Sequence, residues 1–211
     1  MKLQLALDDI TYENAILLVK KVEEFIDIVE LGTPFAYTNP ISAIGEFKQM
    51  FPKLQILADY KILDGGEFMA SLAFKAGADI VTVSASANDE TIEGAINAAH
   101  KYNGMILADT MGEPWEVIPI RAAVAEKAGV DYICVHSSLD VPNAPDPLIS
   151  MRKAKEGAPN TKLAIAGGIN LGTLPRLMKE KPDIVIVGSA IYKAADPASV
   201  AKEMKKIITG K

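Results

Sequence analysis

Short apolar runs alternate with amphipathic stretches from one end of the chain to the other. The runs are Lys2–Leu7, Ile26–Leu31, Leu54–Leu57, Ile80–Val83, Met105–Ala108, Tyr132–Val135, Lys162–Ile165 and Ile184–Val187, and each reads as a buried strand. Between them the apolar positions fall at helical spacing. Helices are predicted over Thr11–Glu24, Pro40–Met50, Gly66–Lys75, Asp89–His100, Trp115–Lys127 with an interruption near Pro119, Pro147–Lys155 and Thr173–Glu180. Thr11 is a candidate N-cap for the first. Asp196-Pro197 opens a last helix that carries Val200, Met204, Ile207 and Ile208 on one face.

Eight apolar strands alternating with eight helices, joined by short loops, predict a parallel sheet covered on both faces. Eight such units fit one closed (β/α)8 TIM barrel spanning residues 1–211. An open doubly wound sheet is the competing fold. Against it, no G-x-G-x-x-G follows the first strand.

Chemistry gathers where the strands end. The stretch from Leu57 to Gly66 contains Asp59, Lys61 and Asp64; side chains alternate along a strand, so Asp59 and Lys61 share a face and Asp64 lies just beyond. The other strand ends supply Asp8, Glu30, Asp109, His136, Gly167-Gly168 and Gly188-Ser189. In a barrel these ends form the active face. Lys61 between carboxylates stays protonated and can stabilise a developing oxyanion, although an ion-pair network at the surface would use the same residues. Glu30 and Asp59 are hard oxygen donors on neighbouring strands, suited to Mg²⁺, and either alone would equally cap a helix. Asp8 would orient Lys61, bind substrate hydroxyls or cap the first helix. His136 is placed as a general acid or base, a duty Asp109 would share unless it only fixes a loop. The second histidine, His100, lies near a helix end and reads as a solvated surface group. The glycines after strands seven and eight make a phosphate cradle or, more simply, two tight turns.

Composition narrows the partners. With 22 basic and 27 acidic residues interspersed and a net charge of −5, the chain has no electrostatic footprint for nucleic acid or an anionic membrane. No apolar run approaches the about 18 residues that span a bilayer, and Met1-Lys2-Leu3-Gln4 leads directly into a strand pattern, so a cytoplasmic location is expected. The single Cys134 sits in an apolar run and reads as a buried, inert thiol; one cysteine excludes a disulfide framework or a thiolate zinc site.

Together these residues resemble the orotidine monophosphate decarboxylase superfamily, whose marker D-x-K-x-x-D is here Asp59-Tyr60-Lys61-Ile62-Leu63-Asp64. Within it the chain is most similar to the 3-hexulose-6-phosphate synthase and 3-keto-L-gulonate-6-phosphate decarboxylase family. The likeness runs through Leu3-Gln4-Leu5-Ala6-Leu7-Asp8, Glu30-Leu31-Gly32-Thr33-Pro34, Gly129-Val130-Asp131-Tyr132-Ile133-Cys134-Val135-His136, Ala164-Ile165-Ala166-Gly167-Gly168 and Ile184-Val185-Ile186-Val187-Gly188-Ser189. The resemblance implies a homodimer in which Asp64 reaches the partner's site. It further implies Mg²⁺ on Glu30 and Asp59, Asp8 and Lys61 on the substrate, and Gly167, Gly168, Gly188 and Ser189 around its phosphate. The implied synthase reaction is an aldol condensation in which His136 deprotonates C1 of D-ribulose 5-phosphate and the enediolate attacks formaldehyde, giving D-arabino-3-hexulose 6-phosphate.

The decarboxylase pattern carries an arginine three residues after the histidine and another in the last phosphate loop, where this chain has Leu139 and Ser189; both favour the synthase. Two loops differ from the synthase pattern: Ser137-Ser138-Leu139-Asp140 after the histidine, and Asp109 to Glu116, whose Trp115-Glu116 is similar to the decarboxylase. Loops carry substrate choice on a fixed barrel, so these changes bear on the substrate before the enediolate chemistry. The alternatives are decarboxylation of a 3-keto sugar-acid phosphate and a barrel that binds a sugar phosphate without turnover.

Overall fold

The computed structural model describes residues 1–137 and 146–210; Leu139 and most of the loop before Asp146 lie outside the described residues. Eight strands follow in order: β1 (Lys2–Leu7), β2 (Ile28–Leu31), β3 (Gln55–Ile62), β4 (Ile80–Ser84), β5 (Met105–Asp109), β6 (Tyr132–His136), β7 (Lys162–Ala166) and β8 (Ile184–Val187). Each pairs in parallel with the next, and β8 returns to β1 in the register Lys2↔Ile184 to Leu5↔Val187. That last pairing closes the barrel and excludes the open sheet.

The helices are α1 (Tyr12–Val22), α2 (Thr33–Thr38), α3 (Ser42–Met50), α4 (Gly66–Ala76), α5 (Asp89–Tyr102), α6 (Ile118–Ala128), α7 (Pro147–Gly157), α8 (Leu174–Leu177) with a 3-10 turn at Met178–Glu180, α9 (Ser189–Tyr192) and α10 (Pro197–Thr209). Local chemistry sets several ends. Thr11 Oγ1 accepts from the Asn14 amide, and the Asp196 carboxylate accepts from the Ser199 amide with Pro197 in the first turn.

Four expectations need correction. The short helices α2 and α9 were not signalled, because one turn of helix leaves no periodicity to read. Pro119 does not interrupt a helix; α6 starts at Ile118, placing the proline in the first turn, where its missing N–H costs nothing. The helix expected over 173–180 is a single α turn that tightens into a 3-10 turn. Strand β3 is longer than its apolar run and carries Asp59 and Lys61 within it.

Two apolar layers hold the barrel. Ile28, Leu57, Ile80, Leu107, Tyr132 and Ile184 form a core inside it. Leu3, Leu5, Val29, Ile56, Val81, Ile106 and Val185 pack with Val19, Phe47, Ala73 and Ile92 of the helices outside. At the opposite end from the active face, four aspartates repeat one device. Asp27, Asp79, Asp131 and Asp183 each precede an even-numbered strand, and each carboxylate accepts the backbone N–H of the preceding odd-numbered strand, from Leu3 (2.7 Å), Ile56 (2.7 Å), Ile106 (2.9 Å) and Leu163 (2.9 Å). No helix among the described residues is long and apolar enough to cross a membrane.

Asp79 also pairs with Lys48 at 2.8 Å. Asp79→Ala leaves the Ile56 N–H without its partner and should lower stability by about 1–3 kcal/mol, read as a lower urea midpoint, with activity per folded molecule unchanged. An unchanged midpoint would show that this device does not hold the strands.

Candidate active site

At the C-terminal ends of the strands lies a pocket of about 470 Å³. Asp8, Glu30, Asp59, Lys61, Asp109, His136, Gly167, Gly168, Gly188 and Ser189 all line it. Asp64 does not. It is exposed just before α4, and its carboxylate accepts from the Gly65 amide at 2.7 Å.

The end of β3 is built to hold two opposite charges. Its register against β4 shifts between Ala58 and Ile62, and Lys61 adopts φ +42°, a left-handed conformation that a side chain-bearing residue takes only when its surroundings enforce it. Thr82 of β4 does the enforcing. Its Oγ1 accepts the Lys61 backbone N–H at 2.8 Å and donates to Asp59 Oδ1 at 2.8 Å. Thr33, opening α2, places its own Oγ1 2.8 Å from Asp59 Oδ2 and 3.3 Å from Lys61 Nζ.

The Lys61 ammonium contacts Asp59 Oδ2 directly and lies 3.7 Å from Asp109 Oδ2. Burial alone would favour the neutral amine, but Asp59 and Asp109 outweigh it and hold the Lys61 pKa above its ordinary value. The cation therefore persists at every working pH. On β5, Asp109 Oδ1 accepts the Met111 amide at 2.9 Å, and Oδ2 stands 3.2 Å from His136 Nδ1. Burial pushes the Asp109 carboxyl up, and the hydrogen bond and charge of His136, with Lys61 and the Met111 amide, bring it below its usual range. An ionised Asp109 takes Nδ1–H as donor and so leaves His136 Nε2 as the basic nitrogen.

The other two carboxylates are strained electrostatically. Glu30 is buried on β2, and its pKa is raised well above the ordinary value by burial and then by the charge of Asp59; a hydrogen bond from Gln4 Nε2, at 2.6 Å, opposes this. Asp8 is raised by burial and by Asp59 as well. Four carboxylates thus face one ammonium. Glu30 and Asp59, buried on adjacent strands and repelling each other, form a hard-oxygen donor pair that a divalent cation would relieve. Gln4 Oε1 supports that fit. It is the one buried side-chain polar atom without a hydrogen-bond partner among the described residues, and Gln4 lines the pocket beside Glu30.

On the far side, Gly167 and Gly168 have φ of +100° and +63°. A Cβ at Gly167 would stand 2.2 Å from the Ser137 carbonyl oxygen, so neither the conformation nor the space admits another residue. Cys134 is buried in the pocket floor, and burial and the charge of Asp109 push its thiol up. It stays protonated, as expected for an inert thiol. His100 is exposed in the last turn of α5.

Three residues of the site were not singled out from the sequence: Gln4, Thr33 and Thr82. All are uncharged. The available signal was a polar residue at an inward position of an otherwise apolar strand, as in Leu3-Gln4-Leu5 and Val81-Thr82-Val83.

The model of the orotidine 5'-phosphate decarboxylase / HUMPS family matches residues 1–204. The chain is 44% identical over 209 residues to a 3-hexulose-6-phosphate synthase of Bacillus subtilis (strain 168), covering 99% of both chains. It superposes with a TM-score of 0.91 and 39% identity on the crystal structure of 3-hexulose-6-phosphate synthase from Salmonella typhimurium, covering 100% of this chain and 99% of that one. The crystal structure of KGPDC from Streptococcus mutans is similar at a TM-score of 0.86 and 26% identity, covering 99% of this chain and 97% of that one. Matched across nearly its whole length, the chain belongs to the orotidine 5'-phosphate decarboxylase / HUMPS family.

Proposed function

We propose that this chain is a lyase of the 3-hexulose-6-phosphate synthase type, joining formaldehyde to D-ribulose 5-phosphate to give D-arabino-3-hexulose 6-phosphate. The observation that carries the reading is the Lys61–Asp109–His136 array facing the Glu30 and Asp59 carboxylates in one pocket, in a chain 44% identical along its length to such a synthase.

The residues divide the reaction between them. His136 Nε2 removes a proton from C1 of the pentulose phosphate, and the Asp109 carboxylate stabilises the imidazolium that forms. Lys61 stabilises the negative charge that moves onto the C2 oxygen, so the intermediate is a 1,2-enediolate. Its C1 attacks the formaldehyde carbon; the carbon–carbon bond forms as the carbonyl electron pair moves to oxygen, which takes the proton back from His136. Glu30 and Asp59 would hold a Mg²⁺ ion, which would supply Lewis-acid stabilisation of the same charge. Asp8 binds substrate hydroxyls, and Gly167, Gly168, Gly188 and Ser189 surround the phosphate with backbone N–H groups.

Asp64 acts in a neighbouring subunit of a homodimer. Supporting this, it is excluded from its own pocket and flanked by exposed apolar side chains, with Leu63 62% and Phe68 69% accessible, alongside Met69 and Leu72. A second reading, decarboxylation of 3-keto-L-gulonate 6-phosphate, shares the enediolate and is favoured by the likeness to KGPDC; Ser189, where that pattern carries arginine, speaks for the synthase.

Purified protein should consume formaldehyde when given D-ribulose 5-phosphate and Mg²⁺, and a chelator should stop it. Formaldehyde left untouched, with CO₂ released from 3-keto-L-gulonate 6-phosphate, would replace the first reading by the second.

Lys61→Ala should cost about 10²–10³-fold or more in kcat while the far-UV spectrum is unchanged. Mixed dimers bearing Lys61→Ala on one subunit and Asp64→Ala on the other should recover one working site; if none recovers, Asp64 does not act across the interface.

Electrostatic crowding has a cost that can be read directly. Because the folded-state pKa of Glu30 lies above its ordinary 4.5, metal-free stability falls as pH rises from that value through the folded pKa. Glu30→Gln should therefore raise the Tm of the chelated protein at pH 8, by about 2–4 °C for ~1 kcal/mol, with the gain fading in acid. A lower Tm at pH 8 would mean that Glu30 is not held against its charge.

A further inference from the structure

Gln4 lies on β1 with no accessible surface, level with Ile28 of β2 on one side and Ile186 of β8 on the other. Both flanking residues are buried and apolar. A leucine or methionine would suit the position if packing were all it served. The amide is instead half used: Nε2 donates to Glu30 Oε2 at 2.6 Å, and Oε1 has no partner. An unpaired buried amide oxygen costs more than an apolar replacement of the same shape, so its retention needs a compensating contact.

We propose that Gln4 is a positioning residue for the divalent cation site: its N–H commits one oxygen of Glu30, leaving the other for the cation, and its free carbonyl oxygen accepts a hydrogen bond from a water on that cation. The inference rests on the reading that Glu30 and Asp59 hold such a cation. Mg²⁺ keeps several of its waters when carboxylates bind it, and each such water carries protons to donate. An amide can serve both contacts, since it donates from one end and accepts at the other. A glutamate in its place would add a fifth carboxylate to the pocket. A methionine would fill the space and serve neither contact.

The test uses Mn²⁺ in place of Mg²⁺, with free ion followed by its paramagnetic resonance signal, so that affinity is read without turnover. Wild type should bind Mn²⁺, Glu30→Gln should abolish binding, and Gln4→Met should weaken it about 10–100-fold, the usual cost of losing a residue that orients a ligand. At saturating Mn²⁺ the kcat of Gln4→Met should return toward wild type, a split between metal affinity and turnover that a merely structural role would not produce. If wild type and Glu30→Gln bind alike, the cation reading fails and this inference with it. If binding depends on Glu30 and Gln4→Met binds as wild type does, only the role of Gln4 falls. Should Gln4→Met fail to fold, a crystal structure of the Mn²⁺-loaded wild type decides: a metal-bound water within about 3.2 Å of Gln4 Oε1 supports the inference, and its absence overturns it.

Discussion

The part-buried pairing of the Lys61 ammonium with the buried Asp59, and at longer range with Asp109, is the interaction around which the mouth of the barrel is arranged. Taking these charges out of water costs several kcal/mol per ion unless every lone pair and proton is met. The surroundings meet them from three directions. Thr82 reaches from β4, Thr33 from the start of α2, and the shifted register of β3 turns the Lys61 backbone into the left-handed region so that its N–H finds Thr82. The strained conformation is thus held by hydrogen bonds that also orient the charges, which is how backbone strain comes to sit at a working site.

Stability and chemistry occupy opposite ends of the same strands. At the N-terminal end, Asp27, Asp79, Asp131 and Asp183 each tie two strands together through a backbone N–H. In the middle, apolar side chains fill the barrel. At the C-terminal end, Glu30 and Asp8 are held against their charge by burial and by Asp59, while Asp109 is held ionised by His136 and Lys61 despite its burial. The upper layer costs stability that the two lower layers supply. That division lets the rim carry reactive groups without loosening the sheet.

Under the function proposed above, an enediolate beside Lys61 would serve both condensation with an aldehyde and loss of CO₂, since each reaction would pass through the same negative charge. The choice between them falls to the groups that admit one electrophile or one leaving group. Ser189 lines the pocket beside Gly188, and its small hydroxyl stands where the decarboxylase pattern carries a guanidinium.

The strand runs, the caps at Thr11 and Asp196-Pro197, and the carboxylates, lysine and histidine at the strand ends could all be read along the chain. Alternation, helical spacing and capping are local signals that survive without any partner. So the closed barrel and the charged members of the pocket were legible in advance. Other features depended on neighbours distant in sequence. The left-handed turn at Lys61 exists because Thr82 lies across from it, the pKa directions of Glu30 and Asp109 follow from burial and facing charges, and Gln4 meets Glu30 only once β1 and β2 are in register. The short helices α2 and α9 likewise arise from how the chain closes. Which residues carry charge, and on which face of an element, is written in their order along the chain; which charges meet is not, because that depends on strand register and barrel closure.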